Sequence, residues 1–305
     1  MEHIASLLNL LKKGDFKTIG RCITIVENDL QGSDTLLTSI QINKTVPIIG
    51  ITGPPGAGKS SLVNGMLAAL LAEGKRIGIL AVDPTSPFNL GSILGDRVRM
   101  SEHFNNPNVY IRSVATRGSL GGLSAKIIEI TDIMRSANFD IIIVETVGVG
   151  QSEIEIVGLA DITVLVLVPE AGDEIQQLKS GVMEIADVFA INKSDRPGAD
   201  VYLRHLYSLL HSASPDKKQA RIVKTIATKN EGITELLAAC RLMLNQHHNQ
   251  LKTYLLTEKA YKLIQNERMK SIDKRILKIE LEKAFSKEQF NLYTFVKEFM
   301  KTASI

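Results

Sequence analysis

Apolar positions recur along this chain with two different periods, and the changes of period divide it. Ile4, Leu7, Leu8 and Leu11 fall at i, i+3, i+4 and i+7, and after Gly14-Asp15 the residues Phe16, Ile19, Ile23 and Val26 continue at helical spacing. This predicts a two-helix preface within residues 1–44, with Gln31-Gly32-Ser33-Asp34 as a break, its apolar stripes buried by packing as a cap on the neighbouring domain. From Val46 to about residue 230, short β-branched runs alternate with helical segments, at 46–52, 76–82, 109–112, 141–144, 162–168, 188–191 and 222–226. Several runs are apolar on both faces, which predicts an α/β domain over 45–247 with a mostly parallel sheet and helices on both faces. In such sheets ligands bind beyond the carboxyl ends of the strands.

After residue 231 the strands stop. Leu236, Leu237, Cys240 and Leu244 mark the last helix of that domain, and 248–305 reads as a charged helical extension. Within it Ile272, Ile276 and Ile279 share a face, as do Leu292, Phe295, Val296 and Phe299, the latter behind a Ser286/Gln289 capping box. Such helices pack on the domain or on a second copy of the chain.

Composition narrows the picture modestly. The 305 residues are 44% apolar and 23% charged with a formal net charge of +3, an excess too small to indicate nucleic acid or an anionic membrane as partner. Cys22 and Cys240 form no C-x-x-C pair, so buried free thiols are expected. Met1-Glu2-His3 lacks a basic leader, and no apolar run approaches the roughly 18 residues that span a bilayer, so a cytoplasmic protein is expected.

The chemistry starts at Gly53-Pro54-Pro55-Gly56-Ala57-Gly58-Lys59-Ser60, which fits the phosphate-binding pattern G-x-x-x-x-G-K-[ST] between a strand and the helix that begins near Ser61. Its glycines let backbone N–H groups point at a β-phosphate, and the helix N-terminus adds partial positive charge. Lys59 is placed to reach the β/γ-phosphates, and the Ser60 hydroxyl to hold Mg²⁺. Asp83 ends the next strand in Asp83-Pro84-Thr85-Ser86-Pro87, where a carboxylate either binds that metal, directly or through water, or makes an Asx-turn. Two Gly/Arg segments, 91–100 and 117–123, read either as mobile loops able to approach phosphate or a partner or as plain solvated loops.

Ile141-Ile142-Ile143-Val144-Glu145-Thr146-Val147-Gly148-Val149-Gly150-Gln151 runs from a buried strand into an acid and glycines, the form of a loop that senses the γ-phosphate. Glu145 is the acid on the metal side, Gly148 the N–H donor, and Gln151 either orients the attacking water or merely starts a helix. Asn192-Lys193-Ser194-Asp195 selects the base: the Asp195 carboxylate accepts from guanine N1–H and its exocyclic amine, and the Lys193 stem lies along the ring. Ala227 and Thr228, at the end of the last strand, close over the base from the other side. The segment 169–181 reads from its residues as an exposed connection containing a helix.

Together Gly53 to Ser61, Asp83 to Phe88, Gly91 to Met100, Arg112 to Gly122, Glu145 to Glu153, Pro169 to Gly181 and Asn192 to Asp195 resemble the MeaB/ArgK/MMAA family of P-loop GTPases, and Gly14-Asp15 with Arg21 to Glu27 resemble its first helices. The resemblance implies GTP and GDP as ligands with Mg²⁺. It further implies a chaperone role toward an adenosylcobalamin-dependent acyl-CoA mutase, usually methylmalonyl-CoA mutase, with gating of cofactor loading, protection of the enzyme, and a homodimer formed through the C-terminal helices. It marks Asp173 and Lys179 as positions coupling nucleotide state to the client. The C-terminal region departs from the family's tail and has no tryptophan.

Three rivals stand beside this. A metal-delivery GTPase needs a Cys or His cluster, and His247-His248 is the one adjacent pair. A kinase or ATPase linked to basic amino-acid transport is suggested by older family names, and Asn192 to Asp195 speaks against ATP. A module that binds GTP without turnover is the third, since no arginine finger is assignable from spacing.

Overall fold

Among the described residues the apolar runs become seven strands: β1 (Ile48–Thr52), β2 (Ile77–Asp83), β3 (Val109–Ala115), β4 (Ile141–Glu145), β5 (Ile162–Leu167), β6 (Val188–Ile191) and β7 (Arg221–Lys224). They pair in the order β3-β2-β4-β1-β5-β6-β7. Every pairing is parallel, so the sheet is parallel throughout rather than mostly so. The computed structural model describes residues 2–83, 100–115, 126–146, 152–169, 186–213, 221–246, 250–269, 272–286 and 289–302. The chain divides into two units, Met1–Asn249 and Gln250–Ile305.

In the first unit the burial of each strand follows its composition. β1, β4, β5 and β6 are buried at every position, while the edge strand β7 carries exposed Arg221 and Lys224. Alternate residues serve opposite faces. Ile49, Ile51, Ile143 and Val164 meet α4 (Lys59–Ala72) and the later helix α8 (Ile233–Gln246). Ile48, Leu80, Ile142 and Val144 meet α1 (Glu2–Lys12), α2 (Phe16–Glu27), α3 (Ser33–Ser39), α5 (Ile127–Arg135) and α6 (Ser152–Leu159). Beyond β1, Leu165, Leu167, Phe189 and Ile191 pack on α7 (Ala199–Ala213). Met100, at the end of a segment read as a loop open to phosphate, a partner or solvent, is instead part of the core beside α4.

The preface contains three helices, not two. Gly32, at φ +93°, turns the chain, and Ser33–Ser39 then forms α3, whose Leu36 joins the core. Asp15 caps α2, accepting from Thr18 N at 2.8 Å and from the Thr18 hydroxyl at 2.6 Å, and these bonds lower its carboxyl pKa. Arg76 lies 4.8 Å over the Phe16 ring, and Glu27 accepts from Arg112 at 2.8 Å. Cys22 and Cys240 are free and buried, and burial pushes their thiols up to about 11 and about 12.

The second unit consists of α9 (Gln250–Met269), α10 (Lys274–Phe285) and α11 (Leu292–Thr302). None of its described residues is buried, and Ile276, Ile279, Phe285 and Tyr293 are well exposed. The expected Ser286/Gln289 capping box does not form. Ser286 ends α10, its hydroxyl donating to Lys283 O at 2.8 Å, and Asn291 caps α11 by accepting from Thr294 N at 3.0 Å. A serine serves the spare carbonyls at a helix end as readily as the spare N–H groups at a helix start, so spacing alone misassigned it.

Candidate functional site

β1 is flanked by β4 and β5, strands that come about ninety residues or more after it in sequence, and this reversal of strand order creates a crevice at the carboxyl ends. The loop from Gly53 to Gly58 emerges there. Gly53 has φ +140°, and a Cβ on it would stand 2.2 Å from Val166 O of β5, so the loop leaves the sheet in a conformation a side chain would forbid. Pro54, Pro55 and Gly56 form its more open arc, Ala57 is buried, and α4 begins at Lys59 with Ser60 and Ser61 in its first turn. Lys59 is only 7% exposed; its ammonium donates to Gly53 O at 2.9 Å and Pro54 O at 3.1 Å. A cation is thereby held across the loop where phosphate oxygens are expected.

Ser60 and Glu145, predicted on the metal side from separate stretches, come together: the Ser60 hydroxyl donates to Glu145 Oε1 at 2.7 Å, and both residues are buried. Hydroxyl and carboxylate are the hard oxygen donors that Mg²⁺ takes, so the pair fits that ion. Asp83 closes β2 opposite Ala115, with its side chain outside the described residues. Gly148, Gln151, Asp173, Lys179 and most of the two Gly/Arg segments also lie outside them, as does His247-His248. Among the described residues no group of three or more His, Cys, Asp or Glu is placed to hold a metal.

The stretch expected to read the base is bonded to the loop expected to bind phosphate. Asn192, buried at the end of β6, donates to Ala57 O at 2.8 Å and accepts from Ala227 N at 3.1 Å and the Thr225 hydroxyl at 3.3 Å. One side chain thus joins three segments. Gly58 makes room for it, since a Cβ there would lie 2.4 Å from Asn192 Nδ2. Lys193 sits in the left-handed region at φ +54° and stretches to Gly56 O at 2.8 Å, laying its stem between the two loops. Asp195 is exposed and faces Lys229 at 3.8 Å, while Thr228 is exposed beside buried Ala227.

Thr225, read from sequence as strand, leaves β7 and serves this junction: its N–H donates to Ile191 O at 2.8 Å and its carbonyl accepts from Ser194 N at 3.1 Å. Thr52 and Thr146, also unassigned from sequence, bond each other at 3.0 Å. The available signal was shared by all three, a threonine at the carboxyl end of an apolar strand.

Residues 19–285 match the profile of a family described as methylmalonyl-CoA mutase-associated GTPase MeaB. The chain belongs to the MeaB family. A relative in Pyrococcus abyssi, whose GTPase name is provisional, is 42% identical over 293 residues, covering 94% of this chain and 89% of the relative. GTPase ArgK of Escherichia coli is 35% identical over 244 residues, covering 76% of this chain and 73% of ArgK. The crystal structure of an LAO/AO transport system kinase matches with a TM-score of 0.69 at 26% identity, over 100% of this chain and 99% of that one. This MeaB-family protein is therefore a GTPase with a P-loop α/β fold. No helix among its described residues is long and apolar enough to cross a membrane.

Proposed function

We propose that this GTPase serves an adenosylcobalamin-dependent acyl-CoA mutase, methylmalonyl-CoA mutase first among them, gating cofactor loading and protecting the enzyme while GTP is turned over in the cytoplasm. The reading is carried by the match of residues 19–285 to a mutase-associated family. In it Lys59 exchanges its bonds to Gly53 and Pro54 for the β/γ-phosphate oxygens, and the N–H groups from Gly53 to Ser61 bind the phosphate chain. Ser60, Glu145 and Asp83 hold Mg²⁺, which supplies charge neutralisation across the phosphate oxygens when bound. Asp195 reads guanine, Lys193, Ala227 and Thr228 enclose it, and Asn192 keeps that pocket in register with the phosphates. Gly148 and Gln151 sense and hydrolyse the γ-phosphate, and Asp173 and Lys179 pass the nucleotide state to the client. The exposed apolar faces of α10 and α11 form a homodimer with a second copy.

GTP hydrolysis by the purified protein, alone and with methylmalonyl-CoA mutase, with ATP as control, tests this. Stimulation by the mutase with GTP alone is expected. Turnover of GTP that ignores the mutase removes the client assignment and leaves the GTPase. The likeness to an LAO/AO transport system kinase favours a second reading, a kinase or ATPase tied to basic amino-acid transport, and ATP turnover exceeding GTP turnover would select it.

A further inference from the structure

Glu145 is the last residue of β4, and the chain leaves the ladder immediately after it, with Thr146 N donating to Ile51 O at 3.0 Å as the closing rung. On one face of the sheet Glu145 meets Ser60 of α4. On the opposite face, where the side chains of Ile142 and Val144 lie, the Thr146 hydroxyl donates to the Thr52 hydroxyl at 3.0 Å. Thr52 is fully buried and Thr146 is 2% exposed. Valine has the same shape without a hydroxyl that must be bonded, and valine and isoleucine fill the strands around this pair, so packing gives no reason for two threonines here.

The pair does have a geometric consequence. Successive strand residues point to opposite faces, so fixing Thr146 below the sheet fixes the backbone angle from which Glu145 projects above it. Thr52 is the residue before Gly53, so its hydroxyl refers that angle to the root of the phosphate loop. We propose that the Thr52–Thr146 bond is a positioning device for Glu145, keeping its carboxylate against Ser60 so that the oxygen pair for Mg²⁺ is preformed. The proposal rests on the reading of Ser60 and Glu145 as the Mg²⁺ side of the site.

The test monitors release of a fluorescent GDP analogue as Mg²⁺ is raised, in the full chain carrying Thr146→Val, Thr146→Ser, Thr52→Val with Thr146→Val, or Ser60→Ala. Thr146→Val is expected to raise the Mg²⁺ concentration for half-maximal slowing of release about tenfold, with Mg²⁺-free GDP affinity within about threefold. Thr146→Ser keeps the hydroxyl and retains the original midpoint. The double valine variant leaves no orphan hydroxyl, so its melting temperature recovers while its Mg²⁺ midpoint stays shifted, and it gives the reading if Thr146→Val fails to fold. A purely structural pair predicts the reverse, lowered melting in Thr146→Val with an unmoved midpoint in every threonine variant, and that result beside a shifted Ser60→Ala overturns the positioning role. An unmoved midpoint in Ser60→Ala overturns the metal reading, and the proposal with it.

Discussion

The carboxyl ends of the strands in the first unit and the helices of the second break the same rule in opposite directions. Around the crevice, polar side chains are buried: Thr52, Lys59, Ser60, Glu145, Thr146, Asn192 and Thr225 all lie inside, bonded to one another or to backbone. In α10 and α11, apolar side chains are exposed, with Phe285 at 71% and Tyr293 at 80%. Burying polar groups costs free energy unless they are paired, and exposing a contiguous apolar face costs solubility. Under the proposed function the first pattern serves a small polar ligand and the second a face for another copy of the chain.

Three experiments sharpen the contrast. The largest effect is expected from Gly53→Ala, because the new Cβ meets a backbone carbonyl, Val166 O, at 2.2 Å and must adopt φ +140°. GDP affinity measured by calorimetry should fall more than about a hundredfold, or the variant should fail to fold. A variant binding GDP normally would show that the loop root is not fixed by β5. A middle-sized effect is expected from ending the chain at Asn249, where the first unit closes. The shortened protein should bind GDP within about threefold of the full chain but sediment as a monomer; a dimer of unchanged stability would move self-association away from α10 and α11.

The smallest effect concerns pH. Burial raises both thiols from an ordinary value of 9.0, Cys22 to about 11 and Cys240 to about 12, so the folded state keeps these protons longer than the unfolded chain. Their contribution is whole below pH 9 and is lost as pH rises through 11 and 12. Urea midpoints should show a shallower alkaline decline in Cys240→Ala than in the unsubstituted protein. An equal decline would mean that the thiol environment is wetter than the core around it.

Much of the fold was legible in the sequence because it depends on local pattern. The seven strands were readable from β-branched runs, and the turn from β1 into α4 from glycine spacing. Long-range contacts were less so. Nothing in the spacing told that Glu145 would bond Ser60, or that Asn192 would hold Ala57 and Ala227 at once, because these meetings depend on strand order. Helix ends were not read reliably: the Asp15 cap of α2 was not assigned from sequence, and Ser286 finishes one helix instead of starting the next.

The central place of β1 bears on how the chain is made. Its partners β4 and β5 come much later in the chain, the second ending more than a hundred residues downstream. On the ribosome the loop after β1 therefore emerges attached to a strand whose neighbours do not yet exist. At ordinary synthesis rates the wait is roughly 5–20 s, during which Ile48, Ile49 and Ile51 present two open edges. The crevice at the carboxyl end of β1 is completed only when Asn192 and Ala227 have arrived, so a nucleotide bound there, as proposed, can favour the nascent chain only after those residues have been translated.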